Sequence, residues 1–558
     1  MRQKINISLL LLVILSSVLI SITMFRSGLK YSFGLGFWGP NGHDAIWHLS
    51  LINQASLKVP PQNPIFSGTI LTNYHWGFDF LIALLSKITN IDSSFLYFQI
   101  LPLIFALLIG FLSYKLAFLL TKNKITSLFF VFLNYFAGSF GWLVTLFRDH
   151  QIGGESLFWS MQSASILLNP PYALSIILLL IGLILWLKYQ PKNSVSWAIV
   201  IGLIFGLITG IKIYGAILIG LSLSLFFIQN LFSSKKTIKF NLVVCVTTAL
   251  ISFLILFGLG VISTNQLEFK PFWFNHSLIE SVDKLYWPKL ASFRLNKNNI
   301  FFLILIEVFL TGVFLIGNLG LRFLGFFSFT KKNNKSPKNF KILILYLFLI
   351  SFLIPSFFVQ KGTAWNTIQF FYYFLIFANF YFAVFLSKLW QKYKILSIVL
   401  LLLSSVTSFS TLKDYFGNPP PSALPNPEIE ALSFLKKQPY GYVLTYPYNA
   451  YAKENMSTPI PLYAYETTAY VSAFSQKPVF LEDEMNLNIT GFDWKNRRIE
   501  EEKFFDTDDK FFTRGFLLNN QIDYVYLLKD QNFKVSIEDL QIDSIFQNDE
   551  VKIFKVRK

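Results

Sequence analysis

A series of long apolar runs in the first 412 residues constrains the fold more than any other feature. A helix needs about 20 residues to cross the roughly 30 Å hydrocarbon core of a bilayer, and in lipid only helices and closed barrels satisfy their own backbone groups. The runs therefore predict a polytopic α-helical membrane protein with about 11 spans. The predicted spans are residues 7–25, 95–120, 125–146, 172–187, 194–210, 214–232, 240–263, 300–320, 341–359, 370–386 and 395–412.

The charged residues between the runs predict the orientation of the chain. Alternate loops hold basic clusters without acids: Lys122/Lys124, Lys188/Lys192, Lys235/Lys236/Lys239, the lysines of 331–341, and Lys388/Lys392/Lys394. Cytoplasmic loops carry such an excess of Lys and Arg. We therefore expect a multi-pass protein of the cell membrane with a cytoplasmic N-terminus, which carries Arg2 and Lys4. An odd number of spans then places the C-terminal part outside the cytoplasm.

The net charge of +17 reflects this topology and does not indicate nucleic-acid binding. Residues 1–412 hold 31 basic and nine acidic residues, whereas residues 413–558 hold 17 basic and 22 acidic residues. The positive charge thus follows the membrane part. The single cysteine, Cys245, lies within a predicted span and cannot form an intrachain disulfide.

The sequence pattern predicts three parts. Residues 1–412 form a transmembrane domain with a long first outer loop at 26–94, in which 77–91 is a short interfacial or re-entrant helix. Residues 413–427 contain the stretch GNPPPSALPNP and are predicted to be a Pro-rich linker. Residues 428–558 alternate short strand and helix patterns, which is typical of a small α/β domain, here extracytoplasmic.

The first outer loop contains the densest group of polar residues in the membrane part. The segment Gly-His-Asp-Ala-Ile-Trp-His occupies residues 42–48, and Asn-Tyr-His-Trp occupies 73–76. If the first segment is helical, Asp44 and His48 lie one turn apart on the same face. Aromatic rings beside a carboxylate and imidazoles are typical of a sugar site. The alternative is that these rings belong to the aromatic belt at the membrane surface.

An anchor helix followed at once by a long outer loop with an early aspartate resembles the GT-C superfamily of integral-membrane glycosyltransferases. The resemblance rests mainly on GHDAIWH, with the many spans and the final α/β domain. It implies a bacterial cell-envelope enzyme that moves a sugar from a polyprenyl-phosphate carrier to a glycan, lipid or protein acceptor. It also implies that Asp44 is the general base. The family's acidic pair is not evident, because Ala45 follows Asp44, and a second acid would come from Asp149 or Glu155.

Further site residues are assigned by the chemistry that such a transfer needs. His48 or His75, with Trp76, would orient the base or bind sugar hydroxyls. An anionic phosphate leaving group needs cations at headgroup depth. Lys212, beside Tyr214, and Lys361, beside Trp365, are the candidates. The alternative is that these lysines extend to the lipid headgroups without a catalytic role.

The five histidines fall on one side with Asp44 and Glu155, but no pair has the spacing of a known metal motif. No metal ligand is therefore predicted, and a divalent ion, Mg or Mn, is left open as a cofactor. The acidic run 482–484 is either a solvated loop or a site for a sugar acceptor or a cation. The competing function class is a lipid or solute transporter or an envelope-assembly scaffold, but transporters often show two related halves, which are not seen here.

Overall fold

The computed structural model describes residues 7–233, 237–260, 266–296, 299–328 and 337–558. The basic residues predicted to be cytoplasmic at positions 2, 4, 235 and 236, and those of 331–336, lie outside these ranges. The chain forms two compact units. We call Met1–Thr23, Leu101–Leu256 and Asn265–Gly417 the membrane unit, and Met24–Ile100, Phe257–Thr264 and Asn418–Lys558 the polar unit.

The helices confirm the predicted class of polytopic membrane protein. Among the described residues, eight helices are long and apolar enough to cross a membrane: Ile7–Phe25, Ser93–Thr121, Pro170–Lys192, Ile213–Phe232, Ile238–Gly258, Ile300–Ser328, Lys338–Phe357 and Ala364–Trp390. The number rises to ten if two bent pairs each count as one span. The shorter apolar helix Val195–Ile211 occupies the position of the fifth predicted span, 194–210.

The two bent pairs differ from the straight spans predicted at 125–146 and 395–412. Lys124–Phe136 meets Gly141–Asp149 at 47°, and Lys394–Leu403 meets Val406–Gly417 at 51°. Gly138 and Ser139 lie in the first break, and Ser404 and Ser405 form the second; glycine and serine are common at helix kinks.

Helix Ile368–Trp390 lies at the centre of the membrane unit. It packs against Lys124–Phe136, Lys338–Phe357 and the 3₁₀ segment Gly320–Ser328. By contrast, Ile238–Gly258 keeps most of its apolar side chains exposed, as expected for a helix that faces lipid. The unit is completed by the helices Gln162–Leu168, Trp273–Glu280 and Pro288–Leu295 and by an antiparallel pair of strands, Leu267–Phe269 and Phe358–Gln360.

The first sheet of the polar unit joins strands that are far apart in sequence. Its four strands are, in order, Lys30–Tyr31, Gly34–Phe37, Ser422–Pro425 and Ile460–Pro461. Gly34–Phe37 pairs antiparallel with Ser422–Pro425. The segment predicted as a free Pro-rich linker at 413–427 therefore contains a paired strand, and the predicted outer loop packs with the C-terminal residues in one unit.

The second sheet lies entirely in the C-terminal region and has the order Tyr442–Thr445, Ile522–Leu528, Val551–Val556, Ile542–Gln547. The first two strands are parallel and the others antiparallel. The helices of the polar unit are Asp44–Leu57, Gly77–Thr89, Asn426–Lys437, Leu462–Tyr465, Tyr470–Ser475, Glu484–Thr490, Lys495–Asp506, Lys510–Asn519 and Ile537–Leu540. The C-terminal region thus has the α/β character that its sequence pattern predicts.

Candidate active site

Asp44 is the first residue of helix Asp44–Leu57 in the polar unit. Strand Gly34–Phe37 and the 3₁₀ turn Gly39–Gly42 lead into it. A carboxylate in the first turn of a helix is stabilised by the unsatisfied N–H groups of the helix end. Gly42 must remain small, because a Cβ there would collide with the side chain of Ser422 in the adjacent strand. Local sequence therefore places Asp44 at a tight junction between sheet and helix.

The carboxylate of Asp44 contacts the buried imidazole of His43, which in turn contacts the carboxylate of Asp483. His43 Nδ1 lies 3.1 Å from Asp44 Oδ1, and His43 Nε2 lies 3.3 Å from Asp483 Oδ1. The side chains of His43 and Asp483 are 6% and 0% exposed, whereas that of Asp44 is 54% exposed. The arrangement presents one accessible carboxylate on a buried support.

Asp483 has few degrees of freedom. Its backbone adopts a left-handed conformation, with φ of 47°, as the N-cap of helix Glu484–Thr490. Its carboxylate accepts hydrogen bonds from the backbone N and the side-chain Nδ2 of Asn486, at 3.1 and 2.7 Å. His43 is therefore anchored by a carboxylate whose own position is fixed.

The surroundings of His43 shift its pKa. Burial disfavours its cationic form, but the carboxylates of Asp483 and Asp44 outweigh that penalty and raise the pKa of His43 well above its usual value. The two carboxylates therefore favour the cationic form of His43, which lies between them. Its charge offsets the two carboxylates that it joins.

His48 is paired with Asp79 and does not contact Asp44. His48 Nδ1 lies 2.7 Å from Asp79 Oδ1, and both side chains are buried. The ring of His48 packs among Tyr74, Phe78 and Tyr97. The segment GHDAIWH is helical from Asp44 onward, but the buried face of this helix carries His48, and the imidazole in contact with Asp44 is that of His43.

His75 and Trp76 lie in the same unit, just before helix Gly77–Thr89. The ring of His75 stacks on Tyr74 with centroids 4.7 Å apart. Trp76 is buried and packs edge-to-face on Phe80. The structure thus gives both residues aromatic partners, and their role in binding a sugar stays a prediction.

The predicted phosphate-binding residues belong to the membrane unit. Lys212 is buried at the junction of helices Val195–Ile211 and Ile213–Ser233, where its Nζ donates to Asn169 Oδ1 at 3.2 Å. Tyr214 donates to Gln360 Oε1 at 2.6 Å. This hydrogen bond places Lys212 and Tyr214 beside the segment that contains Lys361 and Trp365. The side chains of Lys361 and Trp365 are exposed.

The two candidates for a second acid also lie in the membrane unit. Asp149 is exposed and forms a bidentate pair with Arg148, at 2.8 and 2.9 Å. Glu155 is buried, and burial raises its pKa to about 7. Within the polar unit, the acid linked to Asp44 is Asp483.

The side chains do not fit a metal centre. In the described part of the chain, no group of three or more His, Cys, Asp and Glu residues is arranged to hold a metal ion. The imidazole of His43 stands between the carboxylates of Asp44 and Asp483 and occupies the position that a shared cation would take. The proposed reaction therefore assigns no chemical step to a metal.

Sequence reasoning identified Asp44 but missed how His43 and Asp483 support it. Both residues belong to segments that were singled out, GHDAIWH and the acidic run 482–484. A sequence does not show that segments so far apart meet. The only available signal was an acidic run that follows a strand pattern and precedes a helix, where a fixed N-cap is common.

Comparison with solved structures shows what the fold resembles. The oligosaccharyltransferase of Archaeoglobus fulgidus, tethered to an acceptor peptide, matches with 12% identity over 94% of this chain and 69% of that one, at a TM-score of 0.52. The same archaeal enzyme, named AglB, matches at 0.50 in complex with an inhibitory peptide and a dolichol-phosphate, with 13% identity over 93% and 69% of the two chains. Its complex with Zn and sulfate matches at 0.52, with 14% identity over 93% and 68%.

A mycobacterial arabinofuranosyltransferase, AftD, also matches, with 13% identity and a TM-score of 0.52. The match covers 99% of this chain but 40% of that one, so this chain spans well under half of that enzyme. No protein-family model and no curated protein sequence matches the chain. The structural matches show that the fold of this chain resembles those of an oligosaccharyltransferase and an arabinofuranosyltransferase.

Proposed function

We propose that this protein is a membrane glycosyltransferase that moves a sugar from a polyprenyl-phosphate carrier to an acceptor on the extracytoplasmic face. The observation that carries the proposal is the exposed carboxylate of Asp44 on the buried pair His43 and Asp483. The fold shared with two kinds of membrane glycosyltransferase supports it. A solved neighbour that holds a dolichol-phosphate supports a lipid-linked donor.

In this proposal Asp44 is the general base. It takes the proton from an acceptor hydroxyl while that oxygen bonds to the anomeric carbon of the sugar, and the bond from that carbon to the phosphate oxygen breaks. The carrier phosphate leaves with the bonding electrons and stays with the membrane lipids. The hydrogen bond from His43 fixes the direction of the Asp44 carboxylate.

The leaving phosphate needs a positive charge, and Lys212 is our candidate for it. Lys212 is buried and donates to Asn169 Oδ1, and an anionic headgroup would offset the cost of burying its charge. Lys361 is a second candidate at an exposed position. His48, His75 and Trp76 are proposed to shape the sugar side of the site.

The direct test incubates detergent-purified protein with radiolabelled polyprenyl-phosphate sugars and a mixture of glycan, lipid and peptide acceptors. We expect label to move to an acceptor. In the Lys212→Ala variant we expect a KM for the donor at least about tenfold higher, because a charge-assisted contact is lost, whereas Lys192→Ala, in an exposed loop, serves as the control. Absence of transfer with every donor and acceptor would refute the proposal and favour a transporter or scaffold.

A further inference from the structure

The polar unit contains a cavity of about 250 Å³ that the reaction described above does not use. Its wall is formed by residues of 445–452, 463–470 and 481–484, by helix Lys495–Asp506, and by strand Ile522–Leu528. This volume is below that of cavities for drug-sized ligands, about 300–1,000 Å³. The cavity therefore suits a single small ring.

Two buried polar atoms of the wall indicate a missing ligand. The carboxyl of Glu501, in a residue that is 1% exposed, and the hydroxyl of buried Thr468 each have an oxygen without a hydrogen-bond partner among the described residues. Leaving a buried polar atom unsatisfied costs free energy, and native structures rarely do so without a bound group. Both residues line the cavity, so a polar ligand bound there would lie next to these two groups.

The charges of the wall favour a neutral ligand over a cation. Five acids line the cavity, but Glu484 is paired with Arg498 at 3.0 Å and Asp483 with His43 at 3.3 Å. Burial also raises the pKa of Glu482 to about 8 and that of Glu501 well above its usual value. Burial thus disfavours the charged forms of Glu482 and Glu501, while Glu484 and Asp483 each contact a basic side chain. A cation would gain little here.

The remaining wall combines flat rings with hydroxyl groups. The tyrosines that line the cavity are Tyr446, Tyr448, Tyr463, Tyr470 and Tyr526. A tyrosine offers an apolar face and a polar end, which matches the alternation of C–H faces and hydroxyls on a sugar ring.

The cavity is linked to the proposed base, Asp44, through contacts of Asp483 and His43. Asp483 lines the cavity, and its carboxylate contacts His43, which contacts Asp44. We propose that this cavity binds one neutral sugar ring, beside the Asp483 that supports the proposed base. As a sugar subsite of the transferase, this assignment rests on the proposed function.

The test measures sugar binding by the full-length protein in detergent, separately from transfer. Methyl glycosides of a hexose, a pentose and an N-acetylhexosamine are titrated with saturation-transfer NMR. We expect at least one to bind, and Thr468→Val and Tyr448→Phe to raise its Kd about five- to tenfold, since each removes one hydrogen-bonding hydroxyl. Tyr451→Phe, at an exposed position outside the wall, is the matched control.

The outcomes separate this inference from the proposed function. If the protein transfers sugar but binds no glycoside of the panel, or binds one with the same Kd in the wall variants, the cavity assignment is wrong and the transferase stands. Binding of a lysine-rich peptide in place of the glycosides would also overturn it. Competition by a polyprenyl-phosphate sugar would assign the bound ring to the donor, whereas binding without such competition would assign it to the acceptor; either result supports the inference.

Discussion

At the scale of single residues, the pKa values of two buried groups in the polar unit, Glu482 and His43, are raised above their usual values. The Glu482 carboxylate accepts from the backbone N of Val471 and Ser472, yet burial still raises its pKa to about 8. Asp483 and Asp44 raise the pKa of His43 well above its usual value. In an unfolded chain both groups release their protons at lower pH. The folded unit therefore binds more protons than the unfolded one at neutral pH.

This difference predicts that stability falls as pH rises. Between the unfolded pKa of Glu482, near 4.5, and its folded value of about 8, each pH unit costs up to about 1.4 kcal/mol. His43 acts in the same direction above about pH 6.5. We expect the thermal unfolding midpoint of the purified protein to fall from pH 6 to pH 8, and to fall less steeply in Glu482→Gln. The exposed Glu500→Gln should keep the wild-type slope, and an equal slope in Glu482→Gln would contradict this explanation.

Single residues also show which contacts of the site could not be predicted from the sequence. Asp44 was identifiable because it lies in the densest polar segment of the first outer loop, early after the first predicted span. His43 and Asp483 were not identifiable as its support, because their contact depends on a tertiary fold that brings the two ends of the polar unit together. Asp79 was read as part of a short interfacial helix, whereas its burial against His48 again depends on tertiary packing.

At the scale of elements, the two bent helices of the membrane unit support each other. The N–H of Gly138, in the first break, donates to the carbonyl of Ser404, at the second, at 2.7 Å. Arg322 Nη2 donates to the carbonyl of Gly138 at 3.0 Å. Interrupted helices are tolerated at membrane depth only where protein groups satisfy the released backbone. Hydropathy averages over such breaks, which is why the sequence predicted straight spans.

The packing of this break predicts a specific sensitivity. A Cβ on Gly138 would collide with the hydroxyl of Thr407. We expect Gly138→Ala to destabilise the protein by about 1–3 kcal/mol through overpacking, seen as a lower unfolding midpoint in detergent. Gly153→Ala, whose Cβ would meet no described atom within 4 Å, is the control. Equal midpoints for the two variants would show that the break is not tightly packed.

At the scale of the whole molecule, the apolar runs predicted the membrane-spanning class and the approximate number of spans. The division into units was not predictable. It depends on the pairing of Gly34–Phe37 with Ser422–Pro425, two strands that are separated in the sequence by most of the membrane part. Strand patterns show that a strand exists but carry little information on a distant partner. The α/β character of residues 428–558 was predictable, because its strands and helices alternate locally.

The orientation inferred from the basic loops is open to direct test. With Cys245→Ser as the background, we expect a membrane-impermeant thiol reagent to label Tyr451→Cys in intact cells, because the C-terminal region is proposed to be extracytoplasmic. Lys192→Cys, in a loop expected to be cytoplasmic, should react only after lysis. The reverse pattern would place the proposed base in the cytoplasm.

The most direct measurement of the account compares the rate of sugar transfer by Asp44→Asn with that of the wild type at saturating donor. Loss of a general base predicts a rate about 10²–10⁴-fold lower with unchanged binding of the carrier lipid. Asp543→Asn, which alters an exposed acid paired with Arg557, should retain the wild-type rate. Transfer by Asp44→Asn at the wild-type rate would contradict the assignment of Asp44 as the base.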